Sequence, residues 1–151
     1  MRRKRIVPDY YYHQSAVIPF RQRGGNTELL LITSRKKKRW VIPKGVKEPE
    51  LSAAESAAKE AFEEAGVEGE VLEPPVGSYN YEKWGGVCTV QVFVMEVNKI
   101  HEQWQEDYRD REWISVGEAS KRVDEDRLKE LILSVPDFMS ARKNCASMYM
   151  P

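Results

Sequence analysis

The stretch Gly45 to Val67, GVKEPELSAAESAAKEAFEEAGV, decides how the rest of the chain is read. Ser52 and Glu55 form an S-x-x-E capping box, and Gly66 stands where a left-handed C-terminal residue belongs. The spacing therefore predicts one helix from Ser52 to about Ala65. On a wheel of about 100° per residue with Glu60 at zero, Glu64 falls near 40° and Glu63 near 300°. Ala54, Ala57, Ala58, Ala61, Phe62 and Ala65 occupy the other side, centred near 140°. Small alanines let such a helix lie close on a sheet while its acidic face points elsewhere. Three carboxylates one turn apart repel one another unless something positive sits among them. Mg²⁺ takes oxygen ligands and leaves positions for water and phosphate oxygens, so it matches this face. Taken alone, however, Glu-x-x-Glu-Glu reads as an ordinary solvated surface.

Outward from this helix the chain alternates strand and turn signals. Ser15 to Phe20 is strand-like, Gln22 to Asn26 is a turn, and Glu28 to Ser34 is an apolar run fit for a buried strand. The two runs predict an antiparallel hairpin. Arg35-Lys36-Lys37-Lys38-Arg39 follows as a basic loop, then a short strand Trp40-Val41-Ile42 ended by Pro43. Val76 to Tyr81, Val87 to Val97 and Glu112 to Ser115 read as further strands. Ser115 with Glu118 repeats the capping signal, and Arg127 to about Val135 is a second helix. The sum is an α+β fold with a mixed sheet and helices packed on it, not a regular βαβ series.

The 151 residues suit one domain, expected over 9–151 behind a basic head, 1–8. No apolar run approaches the roughly 20 residues that cross a bilayer, and no apolar segment follows the basic head as in a secretory signal. With only Cys88 and Cys145, a disulfide framework or cysteine zinc site is not expected, and a cytoplasmic, reducing setting is. The net charge of zero conceals an asymmetry: residues 1–50 hold 13 Lys/Arg against 4 Asp/Glu, and residues 51–151 hold 11 against 20. A phosphate-processing enzyme needs both signs, basic groups for its substrate and carboxylates for its metal.

Residues 45–67 resemble the signature of the Nudix hydrolases, G-x5-E-x7-R-E-U-x-E-E-x-G-U, where U is aliphatic. Gly45, Glu60, Ala61, Glu63, Glu64, Gly66 and Val67 match, while Leu51 replaces the first glutamate and Lys59 the arginine. Leu51 cannot make the salt bridge that often joins those two positions, but Glu55 lies at i, i+4 spacing from Lys59. Trp40 to Gly45 and Arg111-Glu112-Trp113 are similar to the diphosphoinositol polyphosphate phosphohydrolase branch, which also handles dinucleoside polyphosphates.

The resemblance implies an α/β/α sandwich with a central mixed sheet, and Mg²⁺-dependent (or Mn²⁺-dependent) phosphoanhydride hydrolysis. It makes Glu60 and Glu64 the primary metal ligands, Glu63 a further ligand or water-orienting group, and the backbone carbonyl of Lys44 an oxygen ligand. Some members use a fourth acidic residue from a later loop; Glu106 and Asp107 are both candidates. Lys44 and the loop residues Arg35, Lys37 and Arg39 are candidate phosphate contacts, although charge runs are usually solvated turns. The expected partner is a phosphorylated small molecule, with a dinucleoside polyphosphate or inositol pyrophosphate favoured and ADP-ribose or a nucleotide sugar as the alternative. Leu51 and Lys59 also keep open a catalytically weak, nucleotide-sensing domain. A membrane partner is not expected, and a dedicated nucleic-acid role has no module signature behind it. Many relatives form homodimers. Tyr10-Tyr11-Tyr12 and Trp84 are candidates either for base stacking or for packing, and His13 and His101 have no metal-ligand spacing.

Overall fold

The computed structural model describes residues 6–148; Arg2 to Arg5 of the basic head lie outside that span, and the side chain of Cys145 is likewise not described. Its elements follow a 3₁₀ turn at Asp9–Tyr12. They run β1 (His13–Arg23), β2 (Asn26–Thr33), β3 (Trp40–Val41), β4 (Lys44–Val46), α1 (Ala53–Glu60) continued by a π-helical turn (Ala61–Ala65), β5 (Val67–Lys83) and β6 (Gly86–Ile100). They continue with β7 (Arg111–Ser115), α2 (Val116–Arg122), α3 (Asp126–Leu133) and α4 (Val135–Met148).

The predicted hairpin is present: β1 and β2 pair antiparallel from Phe20↔Leu29 to Arg23↔Asn26, across Gly24 and Gly25 with φ of 60° and 81°. Only glycine adopts such angles without strain, which is why the turn falls there. β1 also pairs parallel with β6 and, near its start, antiparallel with the short β4. The outer edge of β2 takes β3 and β7. The sheet is therefore mixed, ordered β3-β2-β1-β6-β5, with β4 on β1 and β7 on β2.

Alternation along the strands supplies two cores. Val17, Leu30, Ile32, Phe93 and Met95 face Ala57, Ala61 and Ala65 of the acidic helix. Ala16, Ile18, Leu29, Leu31, Val92 and Val94 face the other way, onto Ala119 of α2, Val123 just after it, and Leu128, Leu131 and Ile132 of α3. A one-residue step along a strand changes its core, as a period of two requires. This is the expected α/β/α sandwich.

Four readings change. β5 begins at Val67, not Val76: it pairs with β6 as far as Leu72↔Val94 and resumes at Gly77↔Val92, so Pro74 and Pro75 fall in a bulge between two paired stretches of one strand. α4 begins at Val135, where the expected second helix was to end, and runs on through a segment that carried no helical expectation. The acidic helix widens into the π turn at Ala61, so a uniform wheel fails near its end. Phe62 accordingly leaves the apolar face: it is 46% exposed and meets His101 edge-on at 5.5 Å.

Candidate active site

The acidic helix starts as its sequence predicts. Ser52 Oγ accepts from the Glu55 N–H at 3.0 Å, and Glu55 Oε1 accepts from the Ser52 N–H at 2.9 Å. Glu55 is thereby used in the cap and is not the partner of Lys59. Lys59 Nζ instead lies 2.5 Å from Glu48 Oε1 and 3.8 Å from Glu63 Oε1. The missing carboxylate at position 51 thus has a substitute three residues earlier, on the segment that leads from β4 to the helix.

At the other end, Gly66 takes φ 67° and the helix carbonyls are collected by side chains from the 101–111 segment. Trp104 Nε1 donates to the Glu64 carbonyl at 3.0 Å, and Arg111 Nη1 donates to the Ala65 carbonyl at 2.8 Å. The Arg111 guanidinium stacks on Trp104, 3.9 Å from the ring centroid. A Cβ on Gly66 would collide with both side chains, so glycine is needed there for space as well as for φ. These contacts satisfy carbonyls that a helix end leaves without partners. They also fix the turn from which Glu63 and Glu64 project.

The Glu60 and Glu64 carboxyl groups lie close enough to act directly on one another. Two carboxylates make such a contact only with a proton or a cation between them. Burial, then the neighbouring Glu60 carboxyl, pushes the Glu64 carboxyl up to about 8, against the opposing effect of Arg109. Burial first, with Glu63 and Glu106 adding negative charge, raises Glu60 as well. The Glu60 carboxylate lies against Gly45, where any Cβ would overlap it, and Glu64 Oε1 accepts from the Lys44 N–H at 3.2 Å. The Lys44-Gly45 backbone and the two carboxylates therefore form one compact unit.

Glu106 joins this unit and Asp107 does not. Arg109, only 7% exposed, donates to Glu106 Oε1 at 2.8 Å and to the Thr33 carbonyl at 2.9 Å, and sits 4.0 Å from Glu64 Oε2. The Glu106 N–H also donates to the Glu63 carbonyl at 3.0 Å. Asp107 is exposed. The donor set around Glu60 is all oxygen and anionic, which fits a hard divalent cation. Among the described residues no three Asp, Glu, His or Cys side chains enclose an ion as they stand; the contact is a carboxylate pair with neighbours.

An open cleft beside Glu64 is lined by Ser34, Arg35, Arg39, Lys44, Lys83, Trp84 and Arg109, among others. Arg35, Arg39 and Lys44 thus come together at Glu64. Lys37 does not: it caps the loop turn at φ 55°, outside that lining, with Nζ 3.6 Å from Asp110 Oδ1. The turn is closed by Ser34 N–H to Arg39 C=O at 2.9 Å, which leaves Lys36, Lys37 and Lys38 at the tip. Lys44 Nζ rests 4.1 Å over the Tyr81 ring, and burial together with Lys83 and Arg39 lowers its pKa. A second cavity of about 180 Å³ shares Arg39 and Lys44 with this cleft and is walled by Trp40, Tyr79, Tyr81 and Leu128, with Asp124 and Glu125. Trp84, a candidate for base stacking or for packing, is brought into the cleft lining, whereas Lys83 and Arg109 carry no signal of their own in the sequence. Of the aromatic head, Tyr12 is buried with its hydroxyl bonded to the Trp84 carbonyl at 2.5 Å, and Tyr11 meets Trp84 edge-on at 5.4 Å. His101 pairs with Glu68 at 2.6 Å.

A family model for the NUDIX domain matches residues 11–134. The chain belongs to the Nudix hydrolases. Over 117 residues it is 34% identical to a bovine protein named diphosphoinositol polyphosphate phosphohydrolase 3-beta, covering 76% of this chain and 70% of that one. Arabidopsis thaliana proteins named Nudix hydrolase 21, chloroplastic, and Nudix hydrolase 13, mitochondrial, are 34% and 35% identical. The matches cover 76% and 61% of this chain, and 61% and 51% of theirs. A Caenorhabditis elegans Ap4A hydrolase in a binary complex superposes with a TM-score of 0.74 at 22% identity, over 85% of this chain and 98% of that one. That likeness bears on the Nudix fold alone. No helix among the described residues is long and apolar enough to cross a membrane.

Proposed function

We propose that this Nudix hydrolase cleaves a phosphoanhydride bond in a polyphosphorylated small molecule with the help of Mg²⁺, Mn²⁺ serving in its place. The observation that carries this reading is the meeting of opposite charges across one cleft: Glu64, half-buried beside Glu60, lines it together with Arg35, Arg39, Lys44 and Lys83. Glu60, Glu64 and Glu63, with the Lys44 carbonyl, would hold the ion, and Glu106 is our choice over Asp107 for the later acidic residue. When bound, a divalent cation offsets phosphate charge and lowers the pKa of water. The chain's own task is positional. Arg35, Arg39 and Lys83 receive the phosphates that are not transferred, and Lys44, steadied on Tyr81, fixes the chain of phosphates beside the carboxylates. The water oxygen forms the new P–O bond as the bridging oxygen leaves with its electron pair, and the released proton passes to a carboxylate.

The relatives' names include diphosphoinositol polyphosphate phosphohydrolases, and a fold neighbour is an Ap4A hydrolase. Within this choice the aromatic cavity at Lys44 favours a dinucleoside polyphosphate: Trp40, Tyr79 and Tyr81 suit a planar base better than a ring of phosphates. The free, buried Cys88 is in keeping with a reducing compartment. The test is a substrate panel of diadenosine polyphosphates, ADP-ribose, nucleoside triphosphates and an inositol pyrophosphate with Mg²⁺. Turnover should disappear in Glu64→Gln, by at least about a hundredfold, and survive in His101→Ala. Tight binding without turnover across the panel would overturn the reading and leave a nucleotide sensor.

A further inference from the structure

Lys59 is the sole cation on the acidic helix, and its two contacts lead in different directions. Glu48 lies in the segment that follows β4, and β4 carries the Lys44 amide bonded to Glu64 and the glycine pressed by Glu60. Glu63 lies one turn along the helix, next to the carboxylate pair. A single ammonium therefore joins the backbone segment and the helix that together make the acidic unit. Helical spacing points to Glu55 as the partner of Lys59, but Glu55 is held by Ser52.

We propose that Glu48 and Lys59 are positioning residues for the ion-holding carboxylates: Glu48 restrains Lys59, and Lys59 restrains Glu63 beside Glu60 and Glu64. This rests on the reading that these carboxylates hold a divalent cation. The side chains of Glu48 and Lys59 are each 39% exposed, and an ion pair of that kind contributes little to folding. Its value is geometric. Residues that orient metal ligands without touching the metal are typically worth about 10- to 100-fold in affinity or activity. On this account Leu51 is no lesion, because the tie it lacks is made from position 48.

Charge and position predict opposite signs at Lys59, which makes the inference testable. If Lys59 acted only as a nearby positive charge, Lys59→Met would tighten cation binding, because a repulsion would be gone. If it positions Glu63, the same change loosens binding. The experiment measures Mn²⁺ affinity of the full chain by electron paramagnetic resonance, with thermal unfolding alongside, for Glu48→Gln, Lys59→Met, the double variant, Lys59→Arg and Glu55→Gln. We expect about tenfold weaker Mn²⁺ binding in each of the first two and no further loss in the double variant. Lys59→Arg should retain affinity, Glu55→Gln should match the parent, and kcat should fall in Glu48→Gln with KM unmoved. Tighter binding in Lys59→Met, or parent-like binding in Glu48→Gln, overturns the proposal while leaving the ion reading intact. A parent protein that binds no Mn²⁺ overturns both.

Discussion

The acidic helix and the basic loop face the same cleft, yet they are held in different ways. Glu60 and Glu64 are locked by the Lys44 amide, the contact with Gly45, and the Trp104 and Arg111 bonds to the helix end. Arg35 and Arg39 are exposed, and what places them is a turn closed through Ser34. In the helix, residue type and position are coupled, because each carboxylate has a specific neighbour. In the loop, five consecutive cations look alike in sequence, and backbone geometry alone sends Arg35 and Arg39 to the cleft and Lys37 toward Asp110. A run of like charges therefore says that a cation is available, not which one is used.

The largest effect on the helix side should come from Arg109. Its side chain is 6% exposed, and those of Glu64 and Glu106 are 13% and 15%. Arg109→Ala leaves the largely buried Glu106 carboxylate without its counter-charge and the Thr33 carbonyl without its donor, and should cost roughly 3 kcal/mol in urea unfolding. Arg109→Lys should recover only part of this, since an ammonium cannot reach Glu106 and the Thr33 carbonyl together as a fork does. On the loop side stability should barely move and substrate affinity should respond. Arg39→Gln is expected to raise KM for a long polyphosphate roughly fivefold, and neutralising Lys36, Lys37 and Lys38 together less than twofold. Equal rises in steady-state kinetics would erase the distinction between cleft and tip. The smallest effect belongs to the helix start: Ser52→Ala should lose about 1 kcal/mol of unfolding free energy without changing KM.

Much of the helix was legible because its signals are local. The capping box needs only Ser52 and Glu55, the terminating turn only Gly66, and the sheet-facing alanines only their spacing. The hairpin was legible for the same reason, since Gly24-Gly25 sits between two apolar runs. The remainder depends on contacts across the chain. Nothing near residue 59 reveals that Glu48, rather than Glu55, meets Lys59. Nothing near Arg109 reveals that it spans Thr33 and Glu106, which is also what separates Glu106 from Asp107. The strand expected from Val76 starts nine residues earlier, at Val67, because pairing with β6 is interrupted at Pro74 and Pro75 by a bulge and not ended there. Phe62 was misplaced because the helix does not keep its period to the end.

The Lys83–Gly86 hairpin tip has a consequence for how such a chain diversifies. It reaches the cleft from the far end of β5 and β6, and it is fastened by Tyr12 through the Trp84 carbonyl, a backbone atom that every amino acid supplies. The hydrogen bond at this anchorage does not depend on the side chain at 84, whereas the edge contacts of Tyr11 and Tyr12 do, and no carboxylate of the acidic unit bonds to Lys83 or Trp84. On the proposed function, a change at residue 83 or 84 would reach the phosphate contacts of the cleft before it reached the carboxylates.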